Sequence, residues 1–206
     1  MPDIAYAVSI VSQFMHDPMT LEAVYQILRY LKSAPGKGIL YTRYDHLVRS
    51  LTYVDWVGSK QDRRSTSGYC TLMSGNLVTW RSKMQTIVSR STAEAEYRTM
   101  ALGIWELQWL RMLLSNISLP ISGPFMLHCD NQSTMHITNN PVFYERTEHI
   151  EVDGHFIGEK IHNNEFHLVH TWTEEQLADI FTKSLHKNRV NFICNKLGLF
   201  DVYALT

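Results

Sequence analysis

Cysteine is scarce in this chain: Cys70, Cys129 and Cys194 are the only three, an odd number, far apart and without a CxxC pair. That excludes a disulfide framework and a structural zinc site built from cysteine alone, and it places the expected setting in the cytosol or nucleus, with reduced thiols. Long apolar runs are absent too. None reaches the roughly 18 residues of a membrane span, and the opening stretch, which contains Asp3, has no basic segment of the kind that starts a signal peptide. A soluble protein is expected. Charge of one sign is also missing, since the formal net charge is -1. Such a balance argues against a globally basic nucleic-acid binder, although Arg63, Arg64, Arg81, Lys83 and Arg90 form a local set able to attract phosphate.

What is present suits an ordinary globular domain. The 206 residues are 45% apolar, enough for one core and a small appendage. Ile4, Val8, Val11 and Met15 recur at helical spacing, and Val24, Ile27, Leu28 and Leu31 repeat the pattern behind a Thr20 cap. Residues 33–38, with Pro35, Gly36 and Gly38, then break it. The reading divides the chain into a helical segment, 1–46, and a second domain, 47–206.

Period-two alternation starts in that second domain. Leu51, Tyr53 and Asp55 face one way, and Thr52, Val54 and Trp56 the other. Strands are expected over 68–73 and 77–80 around a three-residue turn at 74–76, with a further extended run at 86–89. A long helix over 92–114 follows, its face marked by Tyr97, Met100, Ile104, Leu107 and Leu114 and widened by Trp105, Trp109 and Met112, which predicts deep burial. Ser91 or Thr92 caps it. A strand at 125–130, helices at 132–138 and 146–162, a strand at 166–171 and helices at 173–185 and 188–197 complete the order.

Acidic residues fall where separate elements meet a sheet: Asp55 on a strand, Glu94 and Glu96 in the first turn of the long helix, Asp130 at a strand end, and Asp179 near the C-terminus. Carboxylates converging within about 4 Å of a pair of divalent ions are what phosphodiester hydrolysis needs. Each also has an ordinary explanation: helix-dipole placement for Glu94 and Glu96, a cap for Asp130, a solvated position for Asp179. A polymerase is not expected, because Trp56 follows Asp55 in YVDW and only 52 residues precede Tyr53.

The stretches SRSTAEAEYRTMALGIWELQWLRMLL, CDNQSTMHITNNPVFYERTEHIEVDGHF and TEEQLADIFTKSL, with DRRSTSGYC and NLVTWRSK, resemble the ribonuclease H domain of copia-type retrotransposon Pol polyproteins. PDIAYAVSIVSQFM and ILRYLKSAPGKG are similar to the connection that follows reverse transcriptase there, so the reverse transcriptase portion is an implied partner. The resemblance implies an α/β ribonuclease H-like fold with a mixed five-stranded sheet. It further implies two Mg²⁺ (or Mn²⁺) ions on four acids, and cleavage of RNA in an RNA/DNA hybrid. It puts the helix acid on Glu96 rather than Glu94, the third acid on Asp130 and the fourth on Asp179.

The first acid departs from the pattern. Related sequences carry Thr/Ser-Asp-Ala-Asp-Trp-Ala-Gly, and with Trp56 and Gly58 as anchors the ligand position falls on Tyr53. Asp55 matches the later aspartate. Residues two apart on a strand lie about 6.6 Å from each other, too far for direct replacement. A two-residue slip of the strand would let Asp55 serve as a metal ligand but would drag Leu51 and Tyr53 out of register, so an impaired nuclease or an inactive nucleic-acid- or protein-binding remnant is expected. Glu148 and Gly158 stand where the family carries Lys and Arg, which weakens hybrid binding. His149, Asp153 and His155 offer a second metal hypothesis against a plain polar helix face. His170 is a candidate for product release or a surface strand residue, and Trp172, in a loop by the inferred site, is the tryptophan suited to contact nucleic acid. Trp56, Trp80, Trp105 and Trp109 are expected in the core.

Overall fold

A computed structural model describes residues 1–43, 50–58, 64–138 and 151–204. Its centre is a five-stranded mixed sheet in the order β4-β3-β2-β5-β6. The strands are β2 (Ser50–Gly58), β3 (Ser65–Met73), β4 (Asn76–Met84), β5 (Phe125–Cys129) and β6 (Phe166–His170). The β2-β3-β4 meander is antiparallel, whereas β5 runs parallel to both β2 and β6. Parallel neighbours need crossovers, and helices supply them: α3 (Thr92–Asn116) before β5, then α4 (Gln132–Thr138) and α5 (Glu151–His162) before β6. The mixed sheet expected from the sequence is therefore the one observed. Two short strands outside it, β1 (Lys37–Ile39) and β7 (Leu199–Asp201), form a separate antiparallel ribbon.

Alternation along β3 separates two cores. Tyr69 points into one with Val54, Tyr97, Met100, Ile104, Leu107, Phe125, Leu127 and Phe166, beneath α3. Its neighbour Cys70 points into the other with Leu72, Leu77, Phe181, Ile193 and Leu197. That second core lies under α6 (Lys187–Lys196) and a 3-10 turn at Leu177–Phe181. Helix α3 starts where its cap dictates, with the Ser91 hydroxyl accepting from the Glu94 amide at 3.2 Å.

Several expectations are corrected. The hairpin turn has two residues, Ser74 and Gly75, both at positive φ (48° and 76°), because Asn76 already pairs with Met73. Residues 86–89 form no strand; the pairing ends near Gln85, whose amide donates to Ser65. Residues 173–185 are two 3-10 turns, Thr173–Glu175 and Leu177–Phe181, rather than a helix. Thr20 is the first residue of α2 (Thr20–Ser33) and not its cap, its hydroxyl donating back to the carbonyls of Phe14 and Asp17. Trp105, Trp109 and Met112 are more than half exposed, so the buried stripe of α3 is narrower than its apolar face. Trp56 and Trp80 are partly covered.

The first 43 residues contain a strand as well as two helices, α1 (Ala5–Gln13) and α2. Leu40 donates its amide to Gly198 at 2.8 Å, and Tyr41 its hydroxyl to the Leu77 carbonyl at 2.9 Å.

Candidate active site

Four acids from four elements approach one end of the sheet. In the parallel β2-β5 pair, Tyr53 lies opposite His128; two residues past that pair stand Asp55, still on β2, and Asp130, just beyond the end of β5. Glu96 descends from the first turns of α3. Asp179 lies in the 3-10 turn. Asp55, Glu96 and Asp179 are buried, and Asp130 is half-buried. An open cleft of about 540 Å³ is lined by Asp55, Trp56, Glu96, Asp130, His170, Trp172 and Lys183, among others. Trp172 is 66% exposed and meets the His170 ring edge-on, with 5.2 Å between ring centres.

Hydrogen bonds and charges hold these groups in two sets. The Cys129 thiol donates to Glu96 Oε1 at 2.9 Å, and donor atoms of Glu96, Cys129 and Asp130 all lie within 4.8 Å of one another. In the second set the Thr182 hydroxyl donates to Asp55 Oδ2, and Lys183 Nζ lies 3.2 Å from Asp55 Oδ1 and 2.7 Å from Asp179 Oδ1. Arg189 takes the other Asp179 oxygen at 3.3 Å.

Burial governs the protonation of both sets. It pushes Glu96 up to about 7, helped by the charges of Asp130 and Asp55 and opposed by the Cys129 hydrogen bond. It pushes Asp55 up to about 6, against the pull of Lys183 and Thr182. The Cys129 thiol is driven up by burial and by Glu96, so it stays protonated and is a poor metal ligand. Lys183 is raised: burial opposes its charge, but Asp55 and Asp179 outweigh burial. Asp55, Glu96 and Asp130 line the cleft with hard carboxylate oxygens, those of Asp55 already accepting from Thr182 and Lys183. That chemistry fits Mg²⁺ or Mn²⁺.

The other sequence candidates disperse. Glu94 points away from the cleft, with Arg98 and the Arg90 amide on its two oxygens at 2.5 and 2.6 Å. Arg81 and Lys83 line a separate hollow of about 330 Å³ with Tyr69, Gln85, Arg98, Trp105 and Asp153. Arg64 is exposed, as are Arg90 and His155, and Gly158 sits half-buried in α5. Arg63, Glu148 and His149 lie outside the described residues, and so does the side chain of Tyr53, whose backbone pairs with Cys70 and His128. Sequence reasoning missed Cys129, Thr182, Lys183 and Arg189. Lysine at i+4 from Asp179 was the one available signal.

No protein-family model matches the chain. It is 38% identical over 204 residues to the retrovirus-related Pol polyprotein from transposon RE1 of Arabidopsis thaliana, covering 98% of this chain and 14% of that protein. It is 34% identical over 198 residues to the corresponding polyprotein from transposon TNT 1-94 of Nicotiana tabacum, covering 95% of this chain and 15% of that one. The chain thus spans about one seventh of the relatives it matches. Among solved structures, LC11-RNase H1 in complex with an RNA/DNA hybrid superposes with a TM-score of 0.50 at 15% identity, covering 65% of this chain and 94% of that one. Fold and sequence likeness agree: the chain belongs to the retrovirus-related Pol polyproteins of copia-type retrotransposons, of which it forms a ribonuclease H-like part.

Proposed function

We propose that the cleft hydrolyses the RNA strand of an RNA/DNA hybrid, with Mg²⁺ or Mn²⁺ held by Asp55, Glu96 and Asp130. The observation that carries this reading is one cleft lined by Asp55 of β2, Glu96 of α3 and Asp130 just past the end of β5. When bound, a divalent ion acidifies water and offsets charge developing on the phosphodiester. The protein's own groups do the rest. Asp55, Glu96 and Asp130 gather negative charge at one point of a partly buried wall, which attracts a hard cation and orders its approach. Burial raises the Glu96 proton affinity to about 7 in the metal-free cleft, so its carboxyl must lose that proton before it takes a cation. Trp172 presents an exposed ring on which a base can stack, next to His170.

A second reading, the inactive remnant, rests on Tyr53 standing where related sequences carry aspartate. The cleft favours the first, because Asp55 lines it together with Glu96 and Asp130. Cleavage of a labelled hybrid in Mg²⁺ or Mn²⁺ tests them together. The unmodified chain is expected to cut, Asp55→Asn and Glu96→Gln to lose at least about 100-fold, and Tyr53→Asp to gain nothing. A silent wild type rescued by Tyr53→Asp would establish the remnant instead.

A further inference from the structure

We infer that Lys183 is a built-in cation occupying the place of one divalent ion between Asp55 and Asp179, so that the cleft takes a single metal ion rather than two. This inference rests on the metal-dependent reading above and refines it.

Three observations carry it. Lys183 Nζ bridges carboxylates on separate elements, 3.2 Å from Asp55 and 2.7 Å from Asp179, and its side chain lines the cleft while remaining only 30% exposed. Asp179 carries an ion pair on each oxygen, Lys183 on one and Arg189 on the other, and unlike Asp55 it does not line the cleft. The charges of Asp55, Asp179, Lys183 and Arg189 thus cancel among themselves. Across the cleft, by contrast, Glu96 and Asp130 form no ion pair with a lysine or arginine among the described residues. The negative charge left for a free cation is therefore concentrated at one end of the cleft.

The ammonium is also firmly seated. It sits four residues beyond Asp179, past a turn whose Thr182 hydroxyl donates to Asp55. Gly68 lets that turn lie directly on β3, where any Cβ would meet Thr182 Cγ2 at 2.6 Å and Phe181 Cβ at 2.8 Å. A tethered lysine supplies one positive charge without binding or release, and it neutralises a carboxylate pair that otherwise repels itself.

The test is a count of bound Mn²⁺ by equilibrium dialysis with elemental analysis, at millimolar Mn²⁺, on the full chain. One ion per wild-type chain, one for Lys183→Arg and two for Lys183→Met are expected. Two ions in the wild type, or one in a folded Lys183→Met, overturns the inference while leaving the metal-dependent nuclease standing. No bound ion in the wild type or any variant overturns both. Should Lys183→Met be unfolded in chelator, recovery of its near-ultraviolet circular dichroism on adding Mn²⁺ supports the substitution of metal for ammonium, and failure to recover overturns it.

Discussion

The thiol of Cys129 donates to Glu96 across 2.9 Å, tying the last residue of β5 to the start of α3. Because burial keeps that thiol protonated, the bond persists through neutral pH and pulls the Glu96 proton affinity down against its surroundings. Cys129→Ala removes the donor and leaves a sulfur-sized void. Loss of about 1–2 kcal/mol in urea unfolding is expected. The acidic limb of the metal-dependent cleavage profile moves to higher pH, since Glu96 then holds its proton more tightly. An unmoved limb would refute the coupling.

Metal-free stability has a definite sign with pH. Glu96 and Asp55 hold protons more tightly folded than unfolded, at about 7 and about 6 against ordinary carboxyl values. At pH values below the unfolded ones both states are protonated, and the shift costs nothing. As pH rises through the interval up to about 7, the folded state must bury charge that the unfolded chain leaves in water, so stability falls and then levels off. For Glu96 the full effect is on the order of 3 kcal/mol. In chelator, wild type minus Glu96→Gln is expected to grow more unfavourable between pH 5 and 8, and Mn²⁺ to reverse the trend at pH 7.5. A difference that stays flat would mean Glu96 titrates normally.

Much of this was legible in the sequence where a pattern is long. The α3 face, with Tyr97, Met100, Ile104 and Leu107 all fully buried, follows from its spacing, and alternation in β2 sends Val54 to the core and Asp55 to the cleft. Short elements were not legible. Three residues cannot display period two, so β1 and β7 carried no signal before they met. Over five residues a repeat of 3.0 and one of 3.6 differ little, so the turn holding Asp179 read as helix. There the Gln176 side chain donates to the Val54 carbonyl at 2.9 Å, and the Ser82 hydroxyl donates to the Phe181 carbonyl at 2.6 Å, long-range bonds that local propensity does not contain. Trp105 and Trp109 misled for another reason: apolar character marks what can be buried, not how much partner surface arrives. Trp105 stacks on Phe156 alone among the described aromatic pairs, at 4.8 Å between ring centres, and otherwise faces solvent.

Gly68 offers a steric probe of the Asp55 side of the cleft. Alanine there drives the 3-10 turn off β3 and draws Thr182 away from Asp55, because the contacts at 2.6 and 2.8 Å are with Thr182 and Phe181. A loss of about 2–3 kcal/mol is expected, with several-fold weaker Mn²⁺ binding. Adding Thr182→Ser deletes the Cγ2 methyl while keeping the hydroxyl, and should restore part of both. If Gly68→Ala destabilises without touching metal affinity, the turn does not position Asp55.

The boundary that the sequence places at residue 47 crosses tight contacts. The side chain of Asp3 is buried, paired with Lys37 at 3.2 Å and accepting from the Tyr30 hydroxyl, which fastens the start of the chain to α2 and β1. Beyond β1, Ile39 packs against the second core, and Val202 returns its amide to Gly36 at 2.9 Å. A chain of residues 47–206 therefore exposes the edge of β7 and part of the core around Leu197 and Leu199. A loss of about 3 kcal/mol or more is expected from the apolar surface uncovered. Urea unfolding of the truncated and full chains measures it, and a peptide of residues 1–46 added in trans should recover part of the loss by rebuilding the ribbon. Equal stability of the two chains would show instead that the ribbon only rests on the sheet domain, and that residues 47–206 hold their carboxylates together unaided.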